Sequence, residues 1–137
     1  MQALVFGAAV AVSSAAQAQR SPVPIIDRPN VPAVSASGRP VSSAALRQAI
    51  IDGGAIGPRK WSIVPHGDGN ALRGTYMVRT HTVVVDIVPE AGSYSLKYAD
   101  SSNMKYDVES GKRVIHPFYN DWVDQLLRAI DAEVKKL

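Results

Sequence analysis

The stretch Leu72-Arg73-Gly74-Thr75-Tyr76-Met77-Val78-Arg79-Thr80-His81-Thr82-Val83-Val84-Val85-Asp86-Ile87-Val88, continued by Pro89-Glu90-Ala91-Gly92 and Ser93-Tyr94-Ser95-Leu96-Lys97-Tyr98, carries the pattern of a β-sheet. Apolar residues recur at every second position, the period of a strand with one buried face. Residues 71–78, 81–88 and 93–98 read as three strands. Trp61 and Ile63 alternate in the same way just before Pro65-His66-Gly67-Asp68-Gly69-Asn70, a run dense in turn formers. An antiparallel meander of four strands follows.

Its register can be written down. If the Pro65–Asn70 run closes a hairpin, Ile63 faces Leu72 and Trp61 faces Gly74. If Arg79-Thr80 is the next turn, Tyr76 faces Val83, Gly74 faces Val85 and Leu72 faces Ile87. If Pro89-Glu90-Ala91-Gly92 closes the third, Ile87 faces Tyr94, Val85 faces Leu96 and Val83 faces Tyr98. All these neighbours share one face, and a slip of one residue would turn each apolar set outward. Gly74 leaves room beside it for the Trp61 indole. Arg79-Thr80 lacks the Gly or Asn that two-residue hairpins favour. The other face would carry Arg73, Thr75, Met77, Thr82, Val84, Asp86, Val88, Ser95 and Lys97: mostly polar, with an apolar patch at Met77, Val84 and Val88.

Two helices flank this sheet. Ser42 or Ser43 can cap a short one carrying Leu46, Ala49 and Ile50, with Gly53-Gly54 as its end. The second is stronger. Tyr119, Trp122, Val123, Leu126, Ile130 and Val134 form a stripe at three- and four-residue spacing. Pro117 suits the first helical position after His116 as a cap. The expected fold is α+β: a short N-terminal helix, a four-stranded antiparallel meander and a longer C-terminal helix, with both helices on one sheet face.

Upstream, Ala3-Leu4-Val5-Phe6-Gly7-Ala8-Ala9-Val10-Ala11-Val12 is an apolar run of signal-peptide length, too short to span a bilayer as a stable helix. Ala16-Gln17-Ala18 offers small residues where a signal peptidase reads. Met1-Gln2 supplies no basic n-region, so the leader is atypical or the true start lies upstream. The expected division is a signal peptide at 1–18, a flexible Pro/Ser-rich linker at 19–40, and one domain at 41–137. The linker reading rests on Pro22, Pro24, Pro29, Pro32 and Pro40. Cleavage after Ala18 would place the mature chain in the periplasm or outside the cell, with no transmembrane span.

The 137 residues include no cysteine, so disulfides, thiolate chemistry and an acylated cysteine are excluded. The net charge is +3, from 15 basic and 12 acidic residues of mixed distribution. Without a basic stripe interleaved with aromatics, nucleic acid is not an expected partner. No HExxH or close His/Asp cluster points to a metal, and no cofactor is expected.

The segment Tyr94-x-Leu96-x-Tyr98-x-Asp100-Ser101-x-Asn103-Met104-x-Tyr106, followed by Ile115-His116-x-x-Tyr119-Asn120-x-Trp122-Val123, resembles a family of small exported proteobacterial proteins, many of them lipoproteins. The resemblance extends more loosely through Trp61 and His81-x-Val83-x-Val85-x-Ile87. It implies an exported single domain and brings no established reaction. Unlike the lipoprotein members, this chain has no cysteine to acylate.

The same segment holds the candidate site: Tyr98, Asp100, Ser101, Asn103, Tyr106, His116, Tyr119 and Asn120. These polar groups leave the last strand and return at the start of the last helix. They read either as a structural latch for loop backbone groups and tyrosine rings, or as a recognition site for an envelope protein or peptide, a glycan or a lipid headgroup. A third possibility is a small periplasmic hydrolase using His116 with Ser101 or Asp100, although no nucleophile elbow accompanies them. His66 falls in a turn. His81 falls near a strand end on the core face, where a structural hydrogen bond is the usual case. The function expected is a non-enzymatic envelope protein that works by binding or assembly.

Overall fold

The computed structural model describes residues 21–137. The expected signal peptide lies outside the described residues. The class is α+β, but the strands form two antiparallel sheets rather than one four-stranded meander. The larger sheet has five strands in the order β2-β6-β5-β4-β3: β2 (Arg28–Pro32), β3 (Ser62–Pro65), β4 (Leu72–Val78), β5 (His81–Glu90) and β6 (Ser93–Ser102). The smaller has the order β1-β8-β7, from β1 (Val23–Pro24), β7 (Asp107–Glu109) and β8 (Lys112–Ile115). Two helices, α1 (Ser43–Ile56) and α2 (Phe118–Val134), complete the described chain.

The central register is the one the alternation dictates. Leu72 pairs with Ile87, Gly74 with Val85 and Tyr76 with Val83. The two-residue turn Arg79-Thr80 closes this hairpin without Gly or Asn, and Arg79 takes the left-handed φ of 55° that the turn requires. The outer pairings differ from expectation by two residues. Ile63 pairs with Gly74 rather than Leu72, because β3 runs on to Pro65 and the loop closes at His66 N–H to the Ala71 carbonyl (3.0 Å). Ile87 pairs with Leu96 and Val85 with Tyr98, because β5 continues through Pro89 to Glu90. Pro89 lies beyond the end of β4, where no ladder bond on that flank is lost. An offset of two preserves the face, so Leu72, Val83, Val85, Ile87 and Leu96 are all buried together.

A bulge in β6 then changes the face. Tyr98 pairs with Val85 and Asp100 with Val84, leaving Ala99 as the extra residue. Asp100 is thereby sent to the open face with Val84, and Ser101 lies opposite Val83 on the helix side.

The flexible linker is not what residues 21–40 form. β1 pairs with β8, and β2 extends the large sheet beyond β6, with an irregularity between Arg28 and Val31 where Asn30 has φ 51°. Ala33 N–H donates to the Gly92 carbonyl (2.9 Å), and Ala33 is buried. Prolines are compatible with this segment because β2 is an edge strand with one flank free of ladder bonds. They also blunt the edge against pairing with another chain. Side chains fasten the segment further. Arg28 pairs with Asp124 (2.6 Å) and Asp27 with Arg113 (2.8 Å). The Asn120 side chain accepts from Ile26 N–H (3.2 Å) and donates to the Pro24 carbonyl (3.0 Å).

Ser42 caps α1, its hydroxyl accepting from Ala45 N–H (3.2 Å). Gly53-Gly54 does not end this helix. It runs to Ile56, and the glycines serve close approach instead. A β-carbon on Gly53 would lie 2.9 Å from the Ile130 Cα of α2, and one on Gly54 2.5 Å from the Ile63 side chain. The Gly53 obstacle is backbone and cannot rotate away. Gly53→Ala is therefore expected to destabilise by about 1–3 kcal/mol despite alanine's better helix propensity, read as a lower urea midpoint.

The whole predicted stripe of α2, Tyr119, Trp122, Val123, Leu126, Ile130 and Val134, is buried against α1 and the sheet. On the opposite sheet face, Arg73 and Asp86 form a cross-strand ion pair (2.9 Å), and Met77 is 70 % exposed.

Candidate functional site

The residues singled out in the sequence separate into a tyrosine cluster and several fasteners. Tyr98 and Tyr106 stack in parallel at 4.9 Å, and Tyr119 meets Tyr98 edge-on at 5.8 Å. The Ser101 and Tyr98 hydroxyls share a 2.7 Å hydrogen bond. Asp100 faces away, and its carboxylate accepts from Ser101 N–H (2.8 Å). The Asn103 side chain donates to Thr80 Oγ1 (2.6 Å), bracing the strained β4–β5 turn, and the Asn103 backbone carbonyl accepts from His81 Nδ1 (2.7 Å). Asn120 clamps the N-terminal segment as described. His116 is not the N-cap, a place Pro117 takes, but its Nδ1 accepts from the N–H of Phe118, the first residue of α2 (3.1 Å). A neutral ring accepting at Nδ1 carries its proton on Nε2, the reverse of a triad histidine acting as base through Nε2.

Burial pushes the Tyr119 hydroxyl well above the ordinary tyrosine range; the nearby Asp27 charge adds to this and Arg113 opposes it. Tyr98 is shifted the same way, chiefly by burial, against the Ser101 hydrogen bond. Both phenols are therefore neutral donors near pH 7. Tyr119 Oη is fully buried and has no hydrogen-bond partner among the described residues. Tyr119→Phe removes that orphaned group and is expected to leave stability unchanged or raise it by about 1–2 kcal/mol. The raised folded pKa also fixes a sign. Tyr119 leaves stability independent of pH below the unfolded tyrosine value of about 10 and lowers it as pH rises through and beyond that value. Thermal melts between about pH 8 and pH 11 should show an alkaline loss that is smaller in Tyr119→Phe.

A second constellation was not visible in the sequence. Arg59, Val78, Arg79, His81, Phe118, Asp121, Trp122 and Gln125 line a cleft of about 410 Å³ between the β4–β5 turn and the first turns of α2. Arg59 leaves α1 in the irregular segment before β3 and is held from two sides. Its Nε donates to Gln125 Oε1 (2.6 Å) and its Nη1 to Tyr76 Oη (3.0 Å). Its guanidinium carbon lies 5.5 Å from the Trp122 ring centre and 5.8 Å from that of Tyr76. Trp61, Tyr76, Trp122 and Phe118 form a continuous aromatic chain beneath it. Phe118 ends that chain, 55 % exposed.

Neither arginine of this cleft is ion-paired: among the described residues, no carboxylate lies within 4.0 Å of the Arg59 or Arg79 guanidinium nitrogens. His81 donates from Nδ1 to a backbone carbonyl, the tautomer in which an uncharged ring has Nε2 as its acceptor. A rigid arginine above aromatic rings, a second arginine, an amide and an imidazole can bind an anion or a polar ring.

Among the described residues, no group of three or more His, Asp or Glu side chains is placed to hold a metal ion, and no helix is long and apolar enough to cross a membrane. No family model, curated protein or solved structure matches this chain.

Proposed function

We propose that this chain is an exported protein of the cell envelope that acts by binding rather than catalysis, with the cleft beside Arg59 as its ligand site. Export is supported by the apolar run of residues 3–12 and by Ala16-Gln17-Ala18, in line with the resemblance to small exported proteins. The binding reading rests on one observation above all: Arg59 is fixed by Gln125, Tyr76 and two aromatic rings, yet has no acidic partner among the described residues. An arginine immobilised before its ligand arrives loses little entropy on binding. The Tyr98 and Ser101 hydroxyls, by contrast, are bonded to each other, and Asn103, His116 and Asn120 hold turn, helix-start and strand backbone or side-chain groups, which supports the latch reading for them.

Two measurements test this. Expression from the full gene should place the protein in the periplasmic fraction, with residue 19 at its N-terminus by mass spectrometry. Titration of the labelled protein with envelope extract should move the NMR signals of Val78, Phe118 and Gln125. Phe118→Ala, at an exposed ring, should keep the fold and weaken that response. Retention in the cytoplasm with the leader intact would contradict the export reading. Shifts confined to other surfaces would contradict the cleft.

A further inference from the structure

We infer that the ligand of the cleft is an anionic sugar, a saturated ring carrying a carboxylate or phosphate group. This deepens the reading of the cleft as the ligand site and rests on it. Three features of the lining each select part of that chemistry.

The first is the arginine pair. A guanidinium has five N–H donors in one plane. The hydrogen bonds to Gln125 and Tyr76 use one on Nε and one on Nη1, leaving one on Nη1 and two on Nη2. These remaining donors suit the oxygens of a carboxylate or phosphate. Arg79, exposed at the tip of the β4–β5 turn, supplies the second positive charge at the same cleft.

The second is Phe118. Its ring packs against His116 (4.5 Å between centres) and Trp122 (5.9 Å), and more than half its surface is open. The π face of such a ring is negative. The C–H bonds on the flat side of a sugar are polarised positive, so they settle on it. A small inorganic anion would gain nothing from this surface.

The third is the set of neutral and acidic acceptors around the same space. Asp121 and the open Nε2 of His81 both line the cleft. They can accept from sugar hydroxyls. A purely anionic ligand without donors would be repelled by Asp121, whereas a hydroxylated ring uses it. A cleft of about 410 Å³ is within the range that encloses small ligands.

The test is an NMR titration of the full mature chain with four probes: glucuronate, glucose 6-phosphate, glucose and acetate. Saturable shifts at Val78, Phe118 and Gln125 are expected with one or both anionic sugars. Glucose lacks the anion and acetate lacks the ring, so each should bind at least tenfold more weakly. Preference for glucuronate or for glucose 6-phosphate identifies the anion as carboxylate or phosphate. Arg79→Gln, at an exposed turn position, should keep the melting curve and weaken the preferred probe about tenfold, since it removes a charge-assisted contact. Equal binding of glucose and the anionic sugars would overturn the anion requirement, and equal binding of acetate would overturn the ring. If all four probes leave the cleft signals still while envelope extract moves them, the sugar class is wrong and the cleft survives. If extract leaves them still as well, both fail.

Discussion

Deletion of residues 19–32 is expected to lower the stability of the domain by roughly 2–5 kcal/mol. The loss has identifiable sources. Ile25 and Val31 pack against the core. β2 pairs with β6 along Leu96, Tyr94 and Ser93. Ile25 N–H donates to the Arg113 carbonyl (3.0 Å), and Asp27 Oδ1 accepts from Tyr98 N–H (3.0 Å). Without this segment, β6 becomes an exposed edge, so aggregation should accompany the lower urea midpoint. A mere tether would behave otherwise: its removal would leave the unfolding curve unchanged.

Trp122→Ala is expected to cost about 3–5 kcal/mol, a large share of the stability of a small domain. Trp122 is buried on the central stripe of α2 and packs edge-on against Tyr76, 5.1 Å between ring centres. It is also one of the two rings under the Arg59 guanidinium. The variant should therefore lose core packing and cleft geometry together. Chemical denaturation reads the first. The second separates in Trp122→Phe, which keeps an apolar ring; its fold should largely survive while the hold on Arg59 weakens. A wild-type denaturation midpoint for Trp122→Ala would mean that α2 does not dock through this residue.

The legibility of the chain follows from where its constraints are local. The β4–β5 hairpin pairs as its alternation requires because the two-residue turn leaves no slack. The flanking hairpins are displaced by two residues because Pro65 and Pro89 look like turn formers, yet Pro65 ends β3 and Pro89 lies one residue before the end of β5, where a missing N–H costs little. The same proline signal hid β2 among apparent linker sequence. Gly53-Gly54 resembled a helix end because glycine marks both chain reversal and close approach, and only the position of Ile130 distinguishes them. The short β7–β8 hairpin was missed although Ser110-Gly111 supplies two consecutive positive φ values, 51° and 76°. That pair was the available signal.

The site divides in the same manner. Tyr98, Ser101, Tyr106 and Tyr119 lie close in a sequence segment of recognisable spacing, and the fold does gather them. The bulge at Ala99 separates Asp100 from them, something no alternation pattern can announce. The cleft gathers Arg59 from an irregular segment, Arg79 and His81 from a turn, and Phe118, Asp121, Trp122 and Gln125 from one helix. No short motif joins such distant positions; only the docking of α2 on the sheet creates the arrangement.

One cooperative unit begins ahead of the first helix and is held together by the helix-covered face of five strands. Amide hydrogen exchange of residues 19–137 tests this. Ile25, Ala33 and Tyr98, whose N–H groups are bonded to Arg113, Gly92 and Asp27, are expected to exchange slowly together with Val83, Val85 and Ile87. Exchange of Ile25 and Ala33 at the rate of an unstructured chain, with the β5 amides still protected, would contradict it.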